Sequence, residues 1–198
     1  MKDDTANNFE IIKEETVYDG FLKVIKAQIK HDTWHGNEQL EVTRESLERG
    51  DSVAILLYEQ DTKSFLFTKQ FRYPSARRGE AFMMELVAGS LGFNEDPVEG
   101  IKREVEEEIG YSLKNIEKIC SYFPSPGGCS EQIHLYFSQV SSHDKIFQGG
   151  GEASEKEDIL LTKIPLSEIK QLLRDGAINN SISIIGLQWF LLNKESLT

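Results

Sequence analysis

The sequence predicts an α/β (α+β) fold, in which a layered α/β core follows a small N-terminal β subdomain. The length of 198 residues suits one domain with a small appendage. Hydrophobic residues make up 39% of the chain and charged residues 28%, which is typical of a globular protein with a buried core. Strand-like runs fill residues 9–46, whereas strands and helices are mixed further along. We therefore divide the chain into an N-terminal part, residues 1–49, and a main domain, residues 50–198.

The N-terminal part is rich in apolar and β-branched residues. Runs at 9–12 and 21–25 predict strands, and Asp19-Gly20 and residues 35–37 predict turns. Residues 44–51 are mostly charged, so we expect a charged joint between the two parts.

The main domain begins with a predicted hairpin. Residues 52–58 and 64–71 are strand-like and flank the turn signal Gln60-Asp61. Beyond it, further strands are predicted at 82–87, 116–123, 132–140 and 159–164, a turn at 124–128, a glycine-rich acidic loop at 148–158, and closing helices near 166–175 and 179–194.

A helix is predicted from about Asp96 to Ile109. Asn94 or Asp96 can cap its start, Pro97 suits its first turn, and Gly110 suits its end. Apolar residues recur at spacings that place them on one face of this helix: Val98, Ile101, Val105 and Ile109.

Acidic residues of the same helix lie off its apolar face. At about 100° per residue, Glu104 and Glu108 lie close together and Glu107 lies beside them. Like charges at this spacing destabilise an isolated helix by roughly 0.2–0.5 kcal/mol per pair, so the cluster favours a bound divalent cation. Carboxylate oxygens suit Mg²⁺ or Mn²⁺ better than zinc. The alternative is an acidic face in contact with solvent, as most runs of charge are.

Charge and cysteine content exclude several classes of function. A net charge of -11 argues against binding to the nucleic-acid backbone, although an anionic small substrate remains possible if cations meet it. No run of 18 apolar residues predicts a membrane span. The acidic N-terminus lacks an apolar signal region, and two cysteines are too few for a disulfide framework, so we expect a cytoplasmic protein. The histidines and cysteines form no recognisable nucleophile motif.

The residue types in and before this helix, and their spacing, resemble the Nudix box. Gly89, Glu95 and the run 103–110 supply Gly, Glu, Arg, Glu, Glu, Glu and Gly at the fixed positions of that motif, with an apolar residue at 105. Tyr111 is the one departure, because an aliphatic residue is usual there. The resemblance implies an α/β/α sandwich with a mixed sheet and a hydrolase that cuts nucleoside diphosphates linked to another group.

The resemblance also implies roles for the residues of the box. Direct metal ligands would be the carboxylates of Glu104 and Glu108, with the backbone carbonyl of Ala88 completing the shell and Glu107 acting as a further ligand or catalytic neighbour. Glu95 and Arg103 would form a structural ion pair that orients the loop onto the helix. The metal would screen the charge of the pyrophosphate and activate water.

Resemblance outside the box indicates which group of Nudix hydrolases the chain is most similar to. Segments similar to the bacterial ADP-ribose pyrophosphatases lie at 41–50, 85–89, 125–128, 155–159, 178–181 and 187–189. Hydrolases of GDP-mannose and UDP-glucose share most of these features, so a related nucleotide-sugar substrate remains an alternative. A non-catalytic module that binds a sugar nucleotide is a further alternative.

Four residues would contact the substrate by this resemblance. Arg72 would hold a phosphate, although a surface arginine at a strand end would look the same. Phe21 and Arg44 would stack on adenine from the partner subunit of a homodimer, whereas a plain core aromatic is the alternative for Phe21. Glu131 would contact the substrate or face solvent.

The catalytic base is expected in the acidic loop at 148–158. Alignment of the loop on Glu-x-Glu-Asp-Ile gives Glu155 the position of the base, with Glu157 as the next candidate. A mobile loop that carries a base suits closure over a bound substrate. The alternative is an exposed acidic linker.

Overall fold

A computed structural model describes residues 8–34, 38–152, 154 and 156–197. The turn predicted at 35–37 and the candidate base Glu155 lie outside the described residues. By their contacts, the described residues form two compact units. The first unit runs to Gly50 and also includes Phe123–Glu131, and the second consists of Asp51–Tyr122 together with the chain from Gln132 onward.

The first unit contains a three-stranded antiparallel sheet in the order β1-β2-β3. Its strands are β1 (Phe9–Asp19), β2 (Lys23–Asp32) and β3 (Gln39–Glu48). The expected charged joint is therefore wrong over residues 44–48, which belong to β3. Their charges are compatible with a strand because Lys23 lies opposite Glu48, and Lys26 lies opposite Glu45. Cross-strand pairs of opposite sign stabilise an exposed sheet.

The segment Phe123–Glu131 of the first unit is attached to β3 through its backbone. The N–H of Leu47 donates to the carbonyl of Gly128 at 2.9 Å, and the N–H of Ser130 donates to the carbonyl of Leu47 at 3.2 Å. Within the segment, the Cys129 N–H donates to the Ser125 carbonyl at 3.0 Å, which closes the predicted turn.

The second unit is built on a seven-stranded mixed sheet. Its strands are β4 (Ser52–Glu59), β5 (Ser64–Phe71), β6 (Phe82–Glu85), β7 (Val87–Ser90), β8 (Glu117–Tyr122), β9 (Ile133–Val140) and β10 (Leu160–Pro165). The main order is β10-β5-β4-β9-β8, with β6 paired to β5 and β7 paired to β4. β4 and β9 are parallel, and the other pairs are antiparallel. The predicted strand at 82–87 is therefore two strands, because the chain changes partner at Leu86.

Helices cover both faces of this sheet. They are α1 (Tyr73–Ala76), α2 (Pro97–Ile109), α3 (Ile169–Arg174) and α4 (Ser181–Leu197). One core contains, from β4 and α2, Val53, Ile55, Leu57, Ile101, Val105 and Ile109. The other contains, from β4 and α4, Ala54, Leu56, Tyr58, Leu187 and Phe190. The α/β/α sandwich is therefore confirmed, and α2 is its layer on one face.

The hairpin of β4 and β5 and the helix α2 agree with the sequence prediction, whereas the four-residue α1 and a short 3-10 helix at Ser142–Asp144 were not predicted. Within the described part of the chain, no helix combines the length and apolarity that a membrane crossing requires.

Candidate active site

The helix α2 is bounded by the residues that the sequence indicated. The Asp96 side chain accepts hydrogen bonds from the N–H groups of Val98 and Glu99, which caps the first turn. Gly110 ends the helix in the left-handed conformation, with φ of 71°. Because the helix is regular between these caps, Glu104 and Glu108 lie one turn apart on the same side.

Glu108 is a buried carboxylate with an oxygen that has no partner. The residue is 2% exposed, and its Oε2 accepts no hydrogen bond. Burial raises the pKa of Glu108 well above its ordinary value, and repulsion from Glu104 and Glu157 adds to the rise. A backbone hydrogen bond with Ala88 lowers the pKa only in part. An unpartnered buried carboxylate is costly unless a cation compensates it.

Glu104 lies beside Glu108 and is also largely withdrawn from water. Burial is the main cause that raises its pKa, against the lowering effect of Arg103. A Cβ built at Gly89 would lie 1.9 Å from the carboxyl carbon of Glu104, so glycine leaves room for this carboxylate where it lies over β7. The close approach of Glu104 therefore explains why the box begins with glycine, here Gly89.

Arg103 connects the other acidic residues of the box. Its Nε donates to Glu95 at 3.0 Å, and its Nη1 donates to Glu104 at 2.8 Å and to Glu107 at 3.0 Å. The hydrogen bond from Arg103 and one from the Gly92 N–H hold the pKa of Glu95 below its ordinary value. Glu95 and Arg103 thus orient the loop onto the helix. The Glu107 carboxylate also accepts a hydrogen bond from Arg103.

The donor set fits a hard divalent cation that is only partly held by side chains. No group of three or more His, Cys, Asp or Glu side chains among the described residues is arranged to hold a metal ion. An ion at Glu104 and Glu108 would complete its shell with backbone, water or substrate oxygens. Mg²⁺ commonly binds through one or two carboxylates together with water and substrate phosphates.

The glycine-rich loop is attached to the end of α2 by backbone hydrogen bonds. Three backbone N–H groups donate to backbone carbonyls at the end of the helix. Ile146 donates to the Gly110 carbonyl at 2.7 Å, Gly150 to the Glu108 carbonyl at 2.9 Å, and Gly151 to the Glu107 carbonyl at 3.1 Å. These carbonyls are among those that a helix leaves unpaired at its C-terminus. A Cβ at Gly149 would lie 2.6 Å from the backbone of Ile109, which explains a glycine at that close approach.

Among the described carboxylates of the loop, Glu157 acts electrostatically on the buried pair of carboxylates, Glu104 and Glu108. Its Oε2 accepts the Glu152 N–H at 3.1 Å, which folds the loop back on itself. Its negative charge contributes to the raised pKa of both Glu104 and Glu108. The loop is therefore not a plain exposed linker over its described residues.

The positive charge of the Arg72 guanidinium acts on Glu108. Its charge opposes the rise in the pKa of Glu108. Its Nε donates to Glu85 Oε2 at 2.8 Å, so β6 holds the guanidinium in place while leaving its side chain 43% exposed. The sequence alone indicated no role for Glu85. Its contact with Arg72 depends on the pairing of β5 with β6, which the sequence does not show.

The remaining candidate residues lie in the first unit. Phe21, between β1 and β2, is fully exposed, with a relative exposure of 102%, so it is not a core aromatic. Arg44 lines a cleft of about 530 Å³ together with Phe123 and the turn that follows it. Glu131 is buried, and its Oε1 lies 3.6 Å from Nε of Arg49.

Comparison with known proteins identifies the family. The NUDIX domain model matches residues 48–180. The chain belongs to the NUDIX family. Among curated NUDIX relatives, the ADP-ribose pyrophosphatase of Haemophilus influenzae is 35% identical over 98% of this chain and 90% of the relative. The ADP-ribose pyrophosphatase of Escherichia coli is 31% identical over 96% and 91%, and the GDP-mannose pyrophosphatase of Cronobacter sakazakii is 31% identical over 91% and 94%.

A solved structure agrees at the level of the fold. A protein described as an ADP compounds hydrolase superposes with a TM-score of 0.74 over 97% of both chains, at 16% identity. The domain match and the curated relatives confirm the resemblance to Nudix hydrolases, and the solved structure confirms the predicted fold. The relatives carry two of the three activity names that the sequence segments suggested, ADP-ribose pyrophosphatase and GDP-mannose pyrophosphatase.

Proposed function

We propose that this NUDIX hydrolase cleaves the pyrophosphate bond of ADP-ribose to give AMP and ribose 5-phosphate, with Mg²⁺ as cofactor and Mn²⁺ as a possible substitute. The observation that carries the proposal is the buried pair of carboxylates, Glu104 and Glu108, with Glu108 Oε2 unpartnered and the cation of Arg72 acting on it. The names of two of the three relatives reported above favour ADP-ribose among nucleotide sugars.

The proposed metal ligands are Glu104, Glu108 and the carbonyl of Ala88, with Glu107 in support. When bound, the ion supplies charge neutralisation at the pyrophosphate and makes water more acidic. Glu95 and Arg103 keep the helix and the preceding loop in register for this purpose.

The chain's own side chains supply the remaining steps. Arg72, held by Glu85, binds a phosphate oxygen and stabilises the negative charge that develops during attack. A carboxylate of the glycine-rich loop accepts the proton of the attacking water, and we assign this base to Glu155 with Glu157 as the second candidate. In the first unit, Glu131 is proposed to contact the substrate.

A substrate panel tests the proposed activity. The purified protein is assayed with Mg²⁺ against ADP-ribose, GDP-mannose and UDP-glucose, and AMP and ribose 5-phosphate are identified by mass spectrometry. We expect kcat/KM for ADP-ribose to exceed the others by at least about tenfold, which corresponds to about 1.4 kcal/mol. A preference for GDP-mannose would transfer the assignment to the activity named for the Cronobacter relative. Tight binding without turnover would indicate a binding module instead. Products formed in ¹⁸O-labelled water locate the phosphorus that is attacked.

We also propose that the protein is a homodimer in which residues 1–49 of one copy complete the site of the other. The sheet of the first unit exposes large apolar side chains on its strands: Phe9, Ile11, Ile12, Val17, Tyr18 and Leu40. Exposed apolar surface on this scale is typical of a protein–protein interface. In the proposed dimer, Phe21 and Arg44 stack on the adenine of a substrate bound to the partner.

Replacing Phe21 by alanine is expected to raise KM for ADP-ribose about 5- to 150-fold, because stacking of a base on an aromatic ring contributes about 1–3 kcal/mol. The matched control is Phe93→Ala, since Phe93 is equally exposed but lies in the second unit. If Phe21 acts across the dimer, mixing Phe21→Ala with inactive Glu108→Gln protein restores sites of low KM. An unchanged KM after mixing would show that Phe21 acts within its own chain, and full activity of a dilute monomer would contradict the dimer.

We propose a cytoplasmic location for this activity. Cys120 and Cys129 are free thiols, as expected in a reducing compartment.

A further inference from the structure

A buried polar cluster lies at the C-terminal side of α2, away from Glu104. Glu59, the last residue of β4, is completely buried. It accepts hydrogen bonds from Tyr111 Oη at 2.7 Å, from Thr62 and from Lys163 of β10. Burial opposes the ionisation of Glu59, but these hydrogen bonds outweigh it and lower its pKa. Glu59 is therefore a carboxylate at neutral pH, and it needs its donors.

Tyr111 supplies one of these donors from the position where the box departs from its usual pattern. Its ring is 1% exposed and packs in the same core as Val105 and Ile109 of α2. Burial, followed by the hydrogen bond to Glu59, raises the pKa of the phenol, so the hydroxyl stays a donor. An aliphatic residue could fill this space but could not bind Glu59. The hydroxyl thus ties the residue after the Gly110 cap to the end of β4.

The same residue also fastens the chain that leads into the glycine-rich loop. Tyr111 forms an isolated antiparallel bridge with Lys145, whose Nζ lies 5.8 Å from the centre of its ring. The neighbouring Ser112 N–H donates to the carbonyl of Asp144 at 2.9 Å. Lys145 directly precedes Ile146, the first of the residues whose N–H groups bind the end of α2.

We propose that Tyr111 is a positioning residue for hydrolysis, which acts through its hydroxyl bond to Glu59. The bond fixes the end of α2 against β4 and fixes the entry of the loop against α2. Because the loop binds the carbonyls of Glu107 and Glu108, its carboxylates then keep a set position relative to the buried pair. This inference rests on the proposed function, since it requires a catalytic base in the loop.

Tyr111→Phe tests the proposal, because it removes the hydroxyl and keeps the ring. We expect kcat to fall about tenfold with KM nearly unchanged, the loss expected when a supporting hydrogen bond of a catalytic site is removed. Glu59→Gln should lower kcat similarly, and the double variant should lose no more than the larger single loss, because both act through one bond. The control is Tyr136→Phe, which lies in the same core but outside the cluster. It should retain wild-type kcat.

Amide hydrogen exchange separates this inference from the proposed activity. In Tyr111→Phe, the amides of Gly150 and Gly151 should exchange about tenfold faster than in the wild type, whatever substrate the enzyme uses. Unchanged exchange in Tyr111→Phe would overturn the proposal that the Tyr111 hydroxyl anchors the loop, even if the wild type hydrolyses ADP-ribose. Faster exchange with wild-type kcat would overturn the catalytic role. Faster exchange in Tyr111→Phe, combined with a wild type that is inactive on the whole panel, would refute the proposed function and leave the anchoring role of the Tyr111 hydroxyl supported.

Discussion

Replacement of Glu108 by glutamine should reduce kcat at saturating Mg²⁺ by about a thousandfold, while the protein remains folded. The amide keeps the shape of the side chain but removes the charge that a divalent cation requires. A loss of about 4 kcal/mol of transition-state stabilisation corresponds to this factor. Steady-state kinetics with ADP-ribose, repeated over a range of Mg²⁺ concentrations, measure it.

Two comparisons make this result specific to the site. Glu106→Gln removes an exposed carboxylate from the same helix and should retain wild-type kcat. Mg²⁺ should raise the Tm of the wild type but not that of Glu108→Gln, because only a protein that binds the ion is stabilised by it. Without metal, Glu108→Gln should melt no lower than the wild type, since it removes a buried charge with an unpartnered oxygen. Near-wild-type turnover of Glu108→Gln would refute the assigned site.

Glu155→Gln should reduce kcat about 100- to 10,000-fold with little change in KM, because general base catalysis contributes about that much. Glu157→Gln should have a smaller effect, since the Glu157 carboxylate accepts a hydrogen bond within the loop. Kinetics on both variants and on Glu152→Gln, an acidic control from the same loop, measure the difference. A larger loss in Glu157→Gln than in Glu155→Gln would reverse the assignment of the base.

The helix that carries the buried pair could be predicted because its signals are local. Asp96 and Gly110 mark its ends within the sequence itself, and the apolar spacing identifies its buried face. The same holds for the β4–β5 hairpin. By contrast, the charged residues at 44–48 form a strand because β2 supplies lysines opposite glutamates, and this pairing is not evident from a single segment.

The candidate site could be predicted only in part for the same reason. Glu104 and Glu108 follow from helical spacing, whereas Glu85 reaches Arg72 through the pairing of β5 with β6. Glu59 meets Tyr111 across a separation of 52 residues. The sequence identified Tyr111 as unusual but offered no partner for its hydroxyl, because that partner depends on how α2 packs on the sheet.

The composition of the first unit limits how the protein can be dissected. Because Phe123–Glu131 shares that unit with β1–β3, a single cleavage near residue 50 would not release either unit intact. A chain that began at Asp51 would retain the turn at 124–128 but lose Leu47, whose backbone bonds to both Gly128 and Ser130. Transplanting the N-terminal sheet to another scaffold would therefore require both stretches of sequence.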